Sequence, residues 1–286
     1  MKALYDSTAV ACSQRFTEAY STSFAWGIRC LGRPLRGPIH AIYGFVRLAD
    51  EVVDSFGDHD RATLLARLRK DTALAIAERI SVNPVLHAFQ AVVHRYGIGR
   101  ELVDAFLDSM AMDLVPLTYQ RAEHDRYIHG SAEVVGLMCL RVFCQGDGVR
   151  YTQLAPAAIR LGAAFQKVNF LRDLRADHEL LGRSYFPGVA FHTFDDAAKR
   201  RIEQEVREDL TVAWEGIRRL PCEARFGVQV AYTYYRALFR KIERSSAARI
   251  RSERVRISNG NKLLLVVQCC FRYDRKPLPY ATAHGT

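Results

Sequence analysis

Five oxygen-bearing side chains stand at helical spacing in two short stretches of this sequence. In Arg47-Leu-Ala-Asp50-Glu51-Val-Val-Asp54 the aspartates are four residues apart and Arg47 precedes the first by three. On a helix they share one face, about one turn apart. In Asn169-Phe-Leu-Arg172-Asp173-Leu-Arg-Ala-Asp177 an amide and two carboxylates recur at i, i+4 and i+8, among Phe165, Val168, Phe170, Leu171 and Leu174. Like charges at such spacing cost a helix about a few tenths of a kcal/mol. A cation between them reverses that sign. Magnesium takes hard oxygen ligands, usually one or two carboxylates per ion, with phosphate oxygens and water completing the octahedron. Two helices presenting these stripes could hold magnesium against a diphosphate, while arginines match the remaining phosphate oxygens bidentately. The chemistry would be activation of diphosphate as a leaving group. A single aspartate pair of this kind is usually a solvated helix face; two pairs in apolar surroundings are harder to dismiss, and on spacing alone both readings stand. The nine histidines are scattered and offer no metal-binding spacing of their own.

The elements that must carry these stripes read as helices. Apolar residues recur at three- and four-residue steps, as in Leu64, Leu65, Leu68, Leu74 and Ile76, or Leu102, Val103, Phe106, Leu107 and Met110. Prolines are few and fall mainly at breaks: Pro34, Pro38, Pro84, Pro116, Pro156, Pro187 and Pro221, then Pro277 and Pro279. Strand-like alternation is nearly absent. The pattern predicts an all-α protein of about nine to twelve helices, with one domain over 1–275 and a loose tail over 276–286. Behind Asp177, Gly182-Arg183-Ser184-Tyr185-Phe186-Pro187 ends the second helix beside a further cation.

The chain has 286 residues, 49% apolar and 25% charged, ordinary for a globular protein and unlike a disordered one. No uninterrupted apolar run approaches the ~18–20 residues of a membrane span, and the N-terminus lacks the apolar stretch of a signal peptide. Seven scattered cysteines form neither a disulfide framework nor a zinc pattern, and are expected mostly as buried small residues in a reducing cytoplasm. The net charge of +10 points to an anionic partner: nucleic acid, a phosphate-bearing ligand or acidic lipid. No recognition helix or stacking sheet is legible, so no nucleic-acid partner is expected. Between residues 236 and 256 eight Arg or Lys residues face two glutamates. Arg249, Arg251, Arg254 and Arg256 precede Leu263-Leu264-Leu265, compatible with an anionic lipid surface, though a solvated helix followed by a core helix is the more ordinary reading.

Taken together, the motifs resemble those of the squalene/phytoene synthase family, the head-to-head trans-isoprenyl diphosphate synthases. The resemblance runs from about Ser21 to about Gln268. Its marks are Ser21-Thr22-Ser23-Phe24, Tyr43 with Arg47 to Asp54, Tyr127-Ile-His-Gly-Ser-Ala-Glu-Val-Val-Gly136, Asn169 to Asp177, and Gly182 to Pro187. It implies a single isoprenoid-synthase-type helical bundle with a central cavity. It implies that Asp50, Asp54, Asp173 and Asp177 coordinate magnesium, with manganese as a substitute, supported by Asn169. Ser21, Arg47, Asn169, Arg172 and Arg183 would hold the prenyl diphosphates. Tyr43 and Tyr127 are candidates for the catalytic cavity wall, or else ordinary core tyrosines; Phe24 and Phe45 read as packing.

The implied reaction ionises one allylic diphosphate and lets its C1 cation alkylate the double bond of a second. A cyclopropylcarbinyl diphosphate results. A second ionisation, rearrangement and proton loss then give a hydrocarbon. The stretch Gly130–Gly136 and the Gly-Arg-Ser-Tyr-Phe-Pro ending look closest to bacterial phytoene synthases, which condense two C20 geranylgeranyl diphosphates in carotenoid synthesis without NADPH. The alternatives are a squalene or dehydrosqualene synthase using two C15 farnesyl diphosphates, and a non-enzymatic assembly factor of the same fold; such factors lose aspartates that are all kept here. The cysteine usage points to a cytoplasmic enzyme, and a product this insoluble is expected to leave into a bilayer, which is compatible with peripheral contact at the inner face of the membrane. Gly130 and Gly136 either let helices approach closely or leave room for a prenyl chain. Three positions depart from the family pattern: Glu51 replaces an aspartate, Thr22 stands where some relatives carry lysine, and the 178–182 stretch is uncommon.

Overall fold

Capping chemistry cuts the chain into rods. Ser21, Asp60, Asn83, Asp147 and Asp195 each accept a backbone N–H from the first turn that follows, which satisfies donors a helix start leaves open. Gly97 and Gly182 close two helices in the left-handed conformation, φ 62° and 65°, where a side chain would be strained. In the computed structural model, which describes residues 1–115 and 119–272, the elements are α1 (Lys2–Tyr20), α2 (Thr22–Arg29), α3 (Arg33–Asp54), α4 (Arg61–Glu78), α5 (Pro84–Tyr96), α6 (Arg100–Met112), α7 (Arg121–Ile128), α8 (Val134–Cys144), α9 (Gly148–Leu181), α10 (Asp196–Arg219), α11 (Cys222–Glu243), α12 (Ala247–Ser252) and α13 (Asn259–Arg272). A π-helical turn, His129–Glu133, joins α7 to α8 in one continuous rod. Counted that way there are twelve rods among the described residues, at the upper end of the expected number. The expected tail lies outside the described residues.

Two prolines do not behave as expected from sequence. Pro38 and Pro156 sit inside α3 and α9 rather than at breaks. Each removes one backbone N–H from its helix, yet apolar burial on both sides keeps the rods intact: Leu35, Ile39 and Ile42 flank Pro38, and Leu154 and Ala157 flank Pro156. The cysteines also differ. Cys144 and Cys269 are buried, whereas Cys222 and Cys270 are exposed.

The core is one connected set of buried side chains running from Ala9 to Val255. Phe45 is fully buried, stacked on Phe89 at 4.0 Å and tilted against Phe106 at 5.4 Å, and is plain packing as read from sequence. Around it α3 packs on α1 and α5, and α9 lies along α8 and α10. The rod Arg121–Cys144 is the one described helix long and apolar enough to cross a membrane, and over half of its apolar window is buried against neighbours. Gly130 resolves towards close packing, whereas Gly136 packs closely and also lines the central hollow. A Cβ on Gly130 would stand 2.5 Å from the Ala105 carbonyl oxygen of α6, and one on Gly136 2.9 Å from that of Ala158 in α9. Gly162 of α9 answers in kind, 2.5 Å from the Ala132 oxygen. These contacts draw α9 against the rod and leave a hollow between α2, α3, α8, α9, α10 and α11.

Candidate active site

That hollow is a cavity of about 640 Å³, within the range that buries a small organic ligand. Its polar rim is supplied by α3 and α9. Tyr43, Arg47 and Asp50 come from α3, and Asn169, Arg172 and Asp173 from α9. Its inner wall is apolar, with Leu31, Ile42, Phe143, Leu154, Ile217 and Leu220. The periodicity read in the sequence is thus realised on two helices that face one another across a single space.

Asp54 and Asp177 lie one turn beyond Asp50 and Asp173 on the same helices. Arg183 ties these ends together: its guanidinium donates to Asp54 Oδ1 at 2.8 Å and to the Asp113 carbonyl oxygen at 2.8 Å, and its backbone N–H to the Asp177 carbonyl oxygen at 2.9 Å. It is 6% exposed and committed to these partners, so as the protein stands its guanidinium orders the carboxylates rather than the cavity rim. Burial pushes the carboxyl of Asp50 up to about 7, eased by Arg47 and raised further by Asp54 and Asp113. Burial likewise lifts Asp177 to about 7, with Asp173 and Asp54 adding to the effect. That Asp177 senses Asp54 across the two motifs shows how closely they converge.

The donor set suits a hard divalent cation. All five candidate ligands offer oxygen, and two carboxyls are held high by burial and by neighbouring carboxylates, both of which a bound cation would offset. Among the described residues no three His, Cys, Asp or Glu side chains are gathered as a ready-made cage. Carboxylates presented singly or in pairs fit ions whose coordination is completed by phosphate and water.

The other predicted residues fall as follows. Ser21 caps α2 through Phe24 N at 3.2 Å and lies on the cavity wall near Tyr43. Arg47 forms an ion pair with Glu51, lies 3.9 Å from Asp50 Oδ2 and stacks over the Tyr20 ring at 4.3 Å. Glu51, buried, therefore pins the arginine and does not join the aspartate stripe. Arg172 donates to both oxygens of Asp173, its neighbour in sequence. Asn169 Oδ1 accepts from Tyr235 at 3.2 Å. Burial raises the Tyr43 phenol to about 12, and Tyr127, 4% exposed, also titrates well above its ordinary range. Both are neutral phenols on the cavity wall. Phe24, read from sequence as packing, is instead part of that wall, 5.8 Å from Tyr43 and 5.9 Å from Tyr235.

Three residues escaped the sequence reading, and a fourth, Arg254, was legible there only as one of the basic residues of the 236–256 segment. Asp113, buried, accepts from Tyr127 at 2.8 Å and from Tyr185 at 3.3 Å, so it fixes one aromatic wall. Tyr235 stacks on Phe165 at 3.8 Å opposite it. Arg254 reaches Asp173 Oδ1 at 2.6 Å from beyond α12. Lys262 of α13 donates to Thr22 Oγ1 at 2.6 Å. A cation therefore stands beside Thr22 after all, supplied from 240 residues away. A carboxylate within the apolar run Met110-Ala-Met-Asp113-Leu was a usable local signal, and Arg254 showed only as one of a cluster of cations; Tyr235 and Lys262 carry none.

A family model described as squalene/phytoene synthase matches residues 17–261. The chain is 28% identical over 272 residues to a phytoene synthase of Pseudescherichia vulneris, covering 86% of each. It is 33% identical over 209 residues to a presqualene diphosphate synthase of Zymomonas mobilis, covering 69% of this chain and 68% of that one. Among solved structures, a dehydrosqualene synthase in complex with ligand superposes with a TM-score of 0.79 at 19% identity, covering 93% of this chain and 97% of the other. A squalene synthase of Alicyclobacillus acidocaldarius gives 0.72 at 20% identity, over 83% and 94%.

Proposed function

Because the chain belongs to the squalene/phytoene synthase family of prenyltransferases, we propose that it joins two geranylgeranyl diphosphates head to head and releases phytoene and two diphosphates. The observation that carries this reading is the convergence of two carboxylate-bearing helices at the rim of an apolar cavity of about 640 Å³. Asp50 and Asp54 on one side, and Asn169, Asp173 and Asp177 on the other, would hold magnesium. Bound there, magnesium neutralises the diphosphate and makes it a better leaving group.

The protein's own part follows from its geometry. Arg47, Arg172, Arg254 and Lys262 supply the remaining positive charge for phosphate oxygens, and Ser21 at the start of α2 a hydroxyl. When the first C1–O bond breaks, the allylic cation is enclosed by Phe24, Tyr43, Tyr127, Phe165 and Tyr235. Aromatic faces stabilise positive charge where water, which would quench it, is excluded. Attack on the second substrate's double bond and loss of one proton give the cyclopropylcarbinyl diphosphate. Its ionisation, rearrangement and a second proton loss complete the C40 hydrocarbon with a central double bond. A second reading rests on the higher identity to presqualene diphosphate synthases over a shorter stretch: two C15 substrates, with release at the cyclopropylcarbinyl stage.

Purified protein incubated with labelled C15 or C20 diphosphates, with and without Mg²⁺ and NADPH, separates these readings. A C40 hydrocarbon from C20 substrate, dependent on Mg²⁺ and indifferent to NADPH, is expected. A C15-derived cyclopropylcarbinyl diphosphate would favour the second reading, and no condensation from either substrate would remove both. Asp50→Asn and Asp173→Asn should each lower turnover by several orders of magnitude; full activity in either variant would take that residue out of the site.

A further inference from the structure

Asp173 is overcommitted. Arg172 donates to both of its oxygens from the same helix, and Arg254 adds a contact at 2.6 Å to Oδ1 from another part of the chain. A carboxylate shared by two guanidiniums has its charge compensated and its lone pairs largely engaged. In that state it is a poor ligand for a divalent cation.

The two arginines differ in how they are held. Arg172 is part of α9. Arg254 lies on residues 253–258, a strap of irregular backbone between α12 and α13, and is 46% exposed. The strap and the short α12 that leads into it are moored at several points. The N–H of Ala247 donates to Asp196 Oδ1 at 2.7 Å, Arg175 to the Ser252 carbonyl oxygen at 2.6 Å, and Lys241 to the Arg256 carbonyl oxygen at 2.7 Å. Ile250 and Val255 are buried in the core. The backbone on either side of Arg254 is thus fixed, while its side chain lies at the cavity mouth with Lys262. A guanidinium in that position can exchange Asp173 for a phosphate oxygen without movement of the strap.

We propose that Arg254 is a positioning residue that keeps Asp173 closed to metal until an incoming diphosphate draws the guanidinium away, so that metal and diphosphate bind cooperatively. This rests on the aspartate motifs being the metal site. Coupling of this kind is reciprocal: whatever factor diphosphate adds to metal affinity, metal adds to diphosphate affinity. The enzyme would then bind metal tightly only when a substrate diphosphate is present.

The test measures bound Mn²⁺ by equilibrium dialysis at fixed free Mn²⁺, with and without inorganic pyrophosphate, for the intact protein and for Arg254→Gln, Arg254→Lys and Asp173→Asn. For the unsubstituted protein, pyrophosphate should tighten Mn²⁺ binding by roughly 10-fold or more, within the usual range of such couplings. Arg254→Gln should bind Mn²⁺ more tightly in the absence of pyrophosphate and lose most of that enhancement; Arg254→Lys should keep part of it. A general loss of positive charge would raise affinity equally in both states and leave the ratio intact, which would overturn the proposal. Unchanged Mn²⁺ affinity of Arg254→Gln without pyrophosphate would overturn it too. Asp173→Asn tells the two claims apart: Mn²⁺ binding indifferent to that substitution would sink the metal site itself, whereas weakened binding there with an unaltered Arg254→Gln would sink only the latch.

Discussion

Asp50 and Asp177 hold their protons against the habit of carboxylates, and this has a measurable consequence. Both are lifted from 3.8 to about 7, first by burial and then by neighbouring aspartates. Between about pH 4 and 7 the folded protein therefore keeps protons that the unfolded chain has released. By linkage, stability without metal falls as pH rises through this window. The melting temperature of the metal-free protein should rise as pH is lowered from 7.5 to 5.5, and Asp50→Asn with Asp177→Asn should flatten that dependence. A metal-free profile unmoved by the double substitution would refute it. These two residues were legible in sequence because an i, i+4 stripe is a local pattern. Lys262, Tyr235 and the particular partner of Arg254 were not, because they exist only once α11, the strap and α13 fold back on α9 and α2; nothing near Lys262 in sequence mentions Thr22. Asp113 falls between these cases, since a carboxylate in an apolar run is visible but its tyrosine partners are not.

At the scale of the elements, helix identity followed from periodicity, and the exceptions have physical reasons. Pro38 and Pro156 stay helical because burial on both sides outweighs one missing hydrogen bond each. The π turn at His129–Glu133 had no sequence signal of its own. Within it Gly130 backs directly onto α6, and Tyr127 just before it meets Asp113. A side chain on the close-contact glycines should then be costly. Gly130→Ala and Gly162→Ala are each expected to lower unfolding free energy by about 1–3 kcal/mol, the usual penalty for overpacking. Urea denaturation monitored by circular dichroism would measure it. A neutral result at Gly162 would mean that α9 can step away from the rod without cost.

At the scale of the whole molecule, the positive charge of the chain acquires a place. The surplus of residues 236–256 is partly spent on backbone moorings and ion pairs, as with Lys241 on the Arg256 carbonyl oxygen and Arg249 on Glu253, while Arg254 and Lys262 stand at the cavity mouth. Inorganic pyrophosphate together with Mg²⁺ should raise the melting temperature by several degrees, since a ligand bound only by the folded state adds stability that grows as the logarithm of one plus the ratio of free ligand to Kd. Pyrophosphate alone should raise it less. An equal shift without Mg²⁺ would point to a purely arginine-held anion. One further property follows from the 34-residue length of α9. The same rod carries Asp173 at the rim and, further along, Phe165, Leu161, Ala158 and Leu154 on the cavity wall. From Asp173 to Leu154 it spans roughly 28 Å at 1.5 Å per residue. It is in effect a ruler with its zero mark at the diphosphate, graduated in helical turns. A bulky residue placed one turn nearer the rim each time should shorten the longest chain accepted by a fixed step, so that product size is written along a single helix.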